Sequence, residues 1–154
     1  MKEQILEAFG KLGFKLEEED GMGYSFIYEG LHLLYMYNEN DEEFLNIALP
    51  GIMDFVDDNV LQMCALLEKV NSTLKYVKAY ILGGSVWLFY ERELLGDEDL
   101  MKVISRMILH LEAGLAFMRK AMDELEETFS GDSSDKDDVE ETDAEEIIDD
   151  DDNK

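Results

Sequence analysis

Two histidines, one cysteine, one Gly-Gly-Ser run and two acidic runs are the parts of this 154-residue chain whose residue types could do chemistry. His32 falls in a segment that alternates like a strand, and His110 falls in a long helical pattern. Neither has an HExxH, a CxxC or any other ligand-spaced neighbour, so each reads as an ordinary surface or hydrogen-bonded histidine, not a ligand or general base. Cys64, within LQMCALLEKV, is expected to pack as a small apolar residue. Asp97-Glu98-Asp99 and Asp149–Asp152 lack the alternating oxygen ligands, turn glycine and closing glutamate of a Ca²⁺ loop. Gly83-Gly84-Ser85 sits between two strand-like runs, whereas a nucleophile elbow requires strand, turn and helix. Gly13–Gly23 carries no phosphate-binding spacing. The expectation is a protein with no catalytic site, no cofactor and no metal.

Composition narrows the partners. The formal net charge is −25, and 13 acidic residues against 2 lysines from Ser130 to Lys154 account for −11 of it, leaving −14 to residues 1–129. Duplex binding needs lysine and arginine to displace condensed cations, so nucleic acid is disfavoured, and an anionic membrane surface is disfavoured for the same reason. No segment approaches the roughly 20 apolar residues of a membrane span. The opening MKEQILEAFGKLGF is a charged amphipathic segment, unlike a signal peptide. With a single cysteine, no intramolecular disulfide can form, which fits a reducing compartment. A soluble, cytoplasmic protein is expected.

The elements that would position these residues are legible in periodicity. Residues 2–13 space Ile5, Leu6, Phe9 and Leu12 as a helix, with Gly13 as its stop. Glu17–Gly23 reads as a polar link. Tyr24–Tyr28 and Leu31–Tyr37 form a hairpin turned at Glu29-Gly30, and Phe44–Leu49 is a third strand stopped by Pro50-Gly51. A second helix over about Asn59–Leu74 would bury Val60, Met63, Cys64, Leu67, Val70 and Leu74. Tyr76–Leu94 then forms a second hairpin around Gly83-Gly84, because a two-residue turn of this kind needs positive φ. Its pairs are Leu82 with Ser85, Ile81 with Val86, Tyr80 with Trp87, Ala79 with Leu88 and Lys78 with Phe89. One face is aliphatic (Val77, Ala79, Ile81, Val86, Leu88) with Tyr90. The other holds Tyr76, Lys78, Tyr80, Leu82, Trp87, Phe89 and Glu91.

A third helix runs from Asp97 to about Phe129, roughly 45–50 Å at 1.5 Å per residue. That exceeds the width of a domain this size, so its second half, LAFMRKAMDELEETF, is expected to project or to pack on a partner. Gly114 weakens the helix unless something approaches closely there. Residues 1–129 thus read as one α+β domain, and residues 130–154, with high charge and few apolar groups, as a disordered acidic tail.

Two surfaces remain as candidate partner sites. The aromatic face offers Tyr76, Tyr80, Trp87 and Phe89, although such cross-strand pairs also stabilise sheets by themselves. The third helix offers Met118 and Met122 on the expected overhang, where methionine suits an adaptable contact.

The order α-β-β-β-α-β-β-α over about residues 2–127 resembles the YbjN-like bacterial domain, itself similar in fold to type III secretion chaperones. The residues carrying the resemblance are LLEKVNSTLKYVKAYI, where a helix with Asn71 near its end runs into a strand, and DEDLMKVISRMILHLEAGLAFM, which opens the last helix. The resemblance implies an antiparallel sheet backed by helices, with a non-enzymatic role in binding a polypeptide or in regulation. It supplies no catalytic residues. Those chaperones are small, acidic and often dimeric, so an unidentified protein partner or a homodimer through the sheet or third helix is expected. A regulatory or sensory domain responding to a small molecule or cation is the alternative.

Overall fold

The structure, a computed structural model, describes residues 1–131. In chain order it contains α1 (Lys2–Lys11), β1 (Glu17–Glu19), β2 (Gly23–Tyr28), β3 (Leu31–Met36), β4 (Phe44–Asp54), a 3₁₀ turn (Asp57–Asn59), α2 (Val60–Thr73), β5 (Val77–Leu82), β6 (Ser85–Glu93) and α3 (Leu100–Gly131). The six strands form one antiparallel sheet in the order β1-β2-β3-β4-β6-β5. This is the expected α+β class and element order, with β1 added. No helix of the described residues is long and apolar enough to cross a membrane.

All three helices meet one face of the sheet. Phe9 of α1 packs its ring 4.9 Å from Phe26 and 5.7 Å from Tyr35. Ile104, Leu111 and Met118 of α3 join Leu45, Ile47 and Leu88 in the same buried cluster, and Met63, Leu66 and Val70 of α2 complete it. Gly114 lets α3 come close to the sheet. A Cβ there would meet Val77 Cγ1 at 3.3 Å and Leu88 Cδ1 at 3.7 Å.

Several sequence expectations change here. Glu17–Glu19 is a strand, although its exposed glutamates show no apolar alternation, because its backbone pairs with β2 and Ser25 Oγ donates to Glu19 Oε1 at 2.7 Å. Gly23 has φ 135 and a Cβ there would fall 2.0 Å from Tyr35 O, so only glycine fits. Pro50-Gly51 bends β4 without ending it. The register with β6 passes from Leu49↔Leu88 to Met53↔Val86, so Pro50, Gly51 and Ile52 bulge opposite Trp87 alone. On α2 the buried stripe is Met63, Leu66 and Val70, and Cys64 is exposed.

The third helix also differs. It begins at Leu100, behind Asp99, whose Oδ1 accepts from the Lys102 N–H at 3.2 Å. It does not overhang the domain at Met118, because α2 runs beside its second half and Lys69 pairs with Glu124. It continues through Ser130 and Gly131, and the remainder of the acidic tail lies outside the described residues.

Asn71 secures the sheet's edge. Its Nδ2 donates to Ala79 O at 2.8 Å, and its Oδ1 accepts from Ala79 N at 2.7 Å. The side chain thus occupies a place on edge strand β5 where another strand could pair. Asn71→Ala should lower unfolding free energy by about 1–2 kcal/mol, the scale of losing two amide hydrogen bonds. Asn71→Asp should also destabilise, since a carboxylate cannot donate to Ala79 O. Urea unfolding midpoints at constant slope measure both, and wild-type midpoints would show that the bridge contributes nothing.

Candidate functional site

Strand alternation sends Ser25, Ile27, His32, Leu34, Met36, Asn46, Ala48, Lys78, Tyr80, Trp87, Phe89 and Glu91 to the face that the helices leave open. Leu34, Ala48, Trp87 and Phe89, with Met36 against them, form a second apolar cluster that no helical residue joins among the described residues. The register explains this assembly. Lys78, Phe89, Ala48, Leu34, Ser25 and Glu17 stand in one row across all six strands.

The rings on this face seal one another. Tyr80 stacks on Phe89 at 4.0 Å with planes 4° apart, and Trp87 follows at 5.8 Å and 12°. Trp87 Nε1 donates to Ser85 Oγ at 3.1 Å. Phe89 is consequently 0% exposed, while Tyr80 keeps 40% and Ile27 keeps 59%. The accessible anchors are therefore Tyr80 and Ile27, with Trp87 showing only an edge. Beside them lies a concavity of about 700 Å³, lined by Ser25, Ile27, His32, Leu34 and Trp87, with Lys15, Glu17 and Glu19 at its rim.

Polar groups bound the apolar row. Glu91 accepts from Lys78 Nζ at 2.7 Å and from Asn46 Nδ2 at 2.9 Å. The hydrogen bond to Glu91 holds the Lys78 ammonium above its ordinary value. Asn46 Oδ1 is buried without a hydrogen-bond partner, alone in that respect among the described residues.

Tyr76 does not belong to this face. It precedes β5 with φ 68, a left-handed conformation that breaks the alternation and turns its ring to the helix side. There it stacks on Tyr90 at 5.5 Å and 6°, with His110 of α3 5.4 Å away. These rings border a groove of about 820 Å³ that also takes in Arg92, Arg106 and Met101. Met118 is 0% exposed inside the main core and offers no surface. Met122 is half-buried, lining a small cavity with Met53, Met63, Leu66 and Leu125. His32 and His110 lie on opposite faces. No three His, Cys, Asp or Glu side chains gather as a metal site among the described residues.

Sequence reasoning missed the contribution of the first hairpin to the open face. Nothing in local spacing pairs Leu34 with Ala48 or Ala48 with Phe89; only β4, lying between β3 and β6, makes them neighbours. The convergence of Arg92 and Arg106 on one groove was equally invisible, since 14 positions separate them.

No family model and no curated protein matches the chain. Among solved structures, the crystal structure of YbjN from E. coli, a proposed transcription regulator, is similar to it with a TM-score of 0.57 at 11% identity, covering 75% of this chain and 86% of that one. At that identity the likeness is one of fold. The chain has a YbjN-like fold.

At the rim of the groove, Glu98 accepts from Leu95 N at 2.8 Å, Gly96 N at 2.9 Å and Arg92 Nη2 at 3.2 Å. The backbone N–H of Leu95 foremost, then that of Gly96 and the Arg92 charge, hold its carboxyl below its usual 4.5. A depressed carboxylate stabilises the fold above its unfolded-state pKa and loses that contribution as pH falls through the folded value. The stability difference between wild type and Glu98→Gln should therefore be full near neutrality and shrink below about pH 4.5. Unfolding curves from pH 7 downward check it. A difference independent of pH would exclude the Glu98 charge as its source.

Proposed function

We propose that this protein is a non-enzymatic binding module, chaperone-like in acting on another polypeptide. Its open sheet face would take a partner segment that carries apolar anchors and positive charge. The observation that carries this reading is the one-sided sheet: a contiguous apolar row with exposed Tyr80 and Ile27 beside a concavity, with no helix of the described residues over them. Exposed apolar surface rimmed by polar groups is the signature of an interaction site. Glu17 and Glu91 at the border are paired with Lys15 and Lys78, so the pull on cationic partners comes from the net charge of −25 acting at a distance. Nucleic acid and anionic membranes are repelled by the same field.

Support for a non-enzymatic role comes from the titratable groups themselves. Among the described residues His32, His110 and exposed Cys64 stand apart, with no convergent nucleophile and base. A lone cysteine with no second to pair suits the cytoplasm. A second, regulatory reading has its own observation, the groove beside Tyr76 on the helix side.

Ile27→Glu and Tyr80→Glu should each reduce recovery of the partner in co-purification by about tenfold, the effect of losing roughly 1.4 kcal/mol at an anchor. Ile27→Glu should leave the melting temperature unchanged, because the side chain is 59% exposed. Tyr80→Glu also removes the ring stacked on Phe89 and should lower it, so Ile27→Glu is the deciding variant. Leu109→Glu, on the 52%-exposed outer side of α3, is the control and should retain capture. Phe89 is unsuitable, since a charge at a fully buried ring would unfold the sheet. Equal capture by all variants would remove the open face as the site. A dimer in light scattering that Ile27→Glu dissolves would assign the face to a second copy of the chain.

A further inference from the structure

The helix side carries a cluster of different chemistry. Two of the three arginines in the chain, Arg92 and Arg106, converge with His110 on the groove bordered by Tyr76 and Tyr90. Nearby acids do not cancel both guanidinium groups. Glu98 is engaged by two backbone N–H groups and by Arg92, and Asp99 by Lys102. Arg106 is exposed and forms no salt bridge among the described residues. In a chain of net charge −25, an arginine without a carboxylate partner at the mouth of a groove is out of keeping with the rest of the surface.

Tyr76 adds an independent observation. The turn from α2 into β5 needs a left-handed residue, which glycine or asparagine would supply with least strain. The chain instead places tyrosine there at φ 68, yet the side chain stays 63% exposed, so burial does not repay the strain. What the conformation achieves is a flat aromatic wall. Tyr76 lies parallel to Tyr90, and His110 is tilted against both at 5.4 and 5.8 Å. A groove of about 820 Å³ is of a size that takes a small organic ligand.

We propose that this groove binds a small anion built on a planar aromatic ring, the ring lying on Tyr76 and its carboxylate or phosphate meeting Arg106, with Arg92 behind. Guanidinium presents a planar fork that matches either anionic group, and a stacked ring supplies the orientation. This site is on the opposite side of the sheet from the face proposed for polypeptide capture, and it stands or falls separately.

The test is a titration of the full chain followed by NMR of its two imidazoles, assigned with His32→Gln. The probes are adenosine monophosphate and indole-3-acetate, with adenosine and inorganic phosphate as single-feature arms. Saturable shifts of His110 with either probe, while His32 stays still, are expected. Adenosine and phosphate should bind at least about tenfold more weakly. Arg106→Ala should weaken probe binding by at least about tenfold at an unchanged melting temperature. Tyr76→Gly should weaken it as much while the melting temperature holds or rises, because glycine relieves the backbone. No shift of His110 with either probe, or equal binding of a single-feature arm, including phosphate as an adventitious ion only, would overturn the proposal. So would a Tyr76→Gly variant that melts lower yet binds normally.

Discussion

The seam between α3 and the sheet is the constraint on which the other arrangements rest. One helix touches α1, α2, β4, β5 and β6, and its buried side runs from Val103 to Ala121. Gly114 allows its backbone to settle against Val77, Leu74 and Leu88, so the helix lies flat on the strands. With α1 and α2 docked on the same side, the main core is a single layer between helices and sheet. An antiparallel sheet can leave its second face without helices, and among the described residues it does so here.

That second face is apolar all the same, and it holds together through its own side chains. The Tyr80, Phe89 and Trp87 stack shields the central ring, and the β4 bulge stands opposite Trp87. The free edge of β5 is held by the Asn71 bridge. The two sides of the sheet therefore differ in chemistry. The open side is apolar with a border of lysine–glutamate pairs, and the helix side gathers arginine, histidine and tyrosine at one groove.

Much of this was legible from local pattern. Every pair read from Gly83-Gly84, from Leu82 with Ser85 to Lys78 with Phe89, is present in the β5–β6 register, because a two-residue turn fixes the pairing behind it. The Glu29-Gly30 turn set the first hairpin in the same way. The errors share a different origin. Cys64 packs outward because the side of α2 that faces α3 is set by Met63, Leu66 and Val70, a rotation that the apolar pattern alone left open. Tyr76 leaves its alternation through one left-handed backbone angle that a tyrosine does not advertise. Met118 is buried because α2 runs alongside α3, and no local spacing encodes that neighbour. The open face joins residues of two hairpins through β4, so it exists only once the sheet is assembled.

The central claim is that the open face seats an apolar, positively charged polypeptide segment, and the only tryptophan of the chain, Trp87, stands on that face to report it. The most direct measurement is Trp87 emission during titration of the full chain with a synthetic amphipathic Lys/Leu peptide, against a Glu/Leu peptide of equal length. It would be made near physiological salt and again at about 1 M, where the screening length falls to about 3 Å. The account predicts a saturable emission change with the Lys/Leu peptide that weakens but persists at high salt, and none with the Glu/Leu peptide. Loss of the whole signal at high salt, or no change at Trp87 with either peptide, would contradict it.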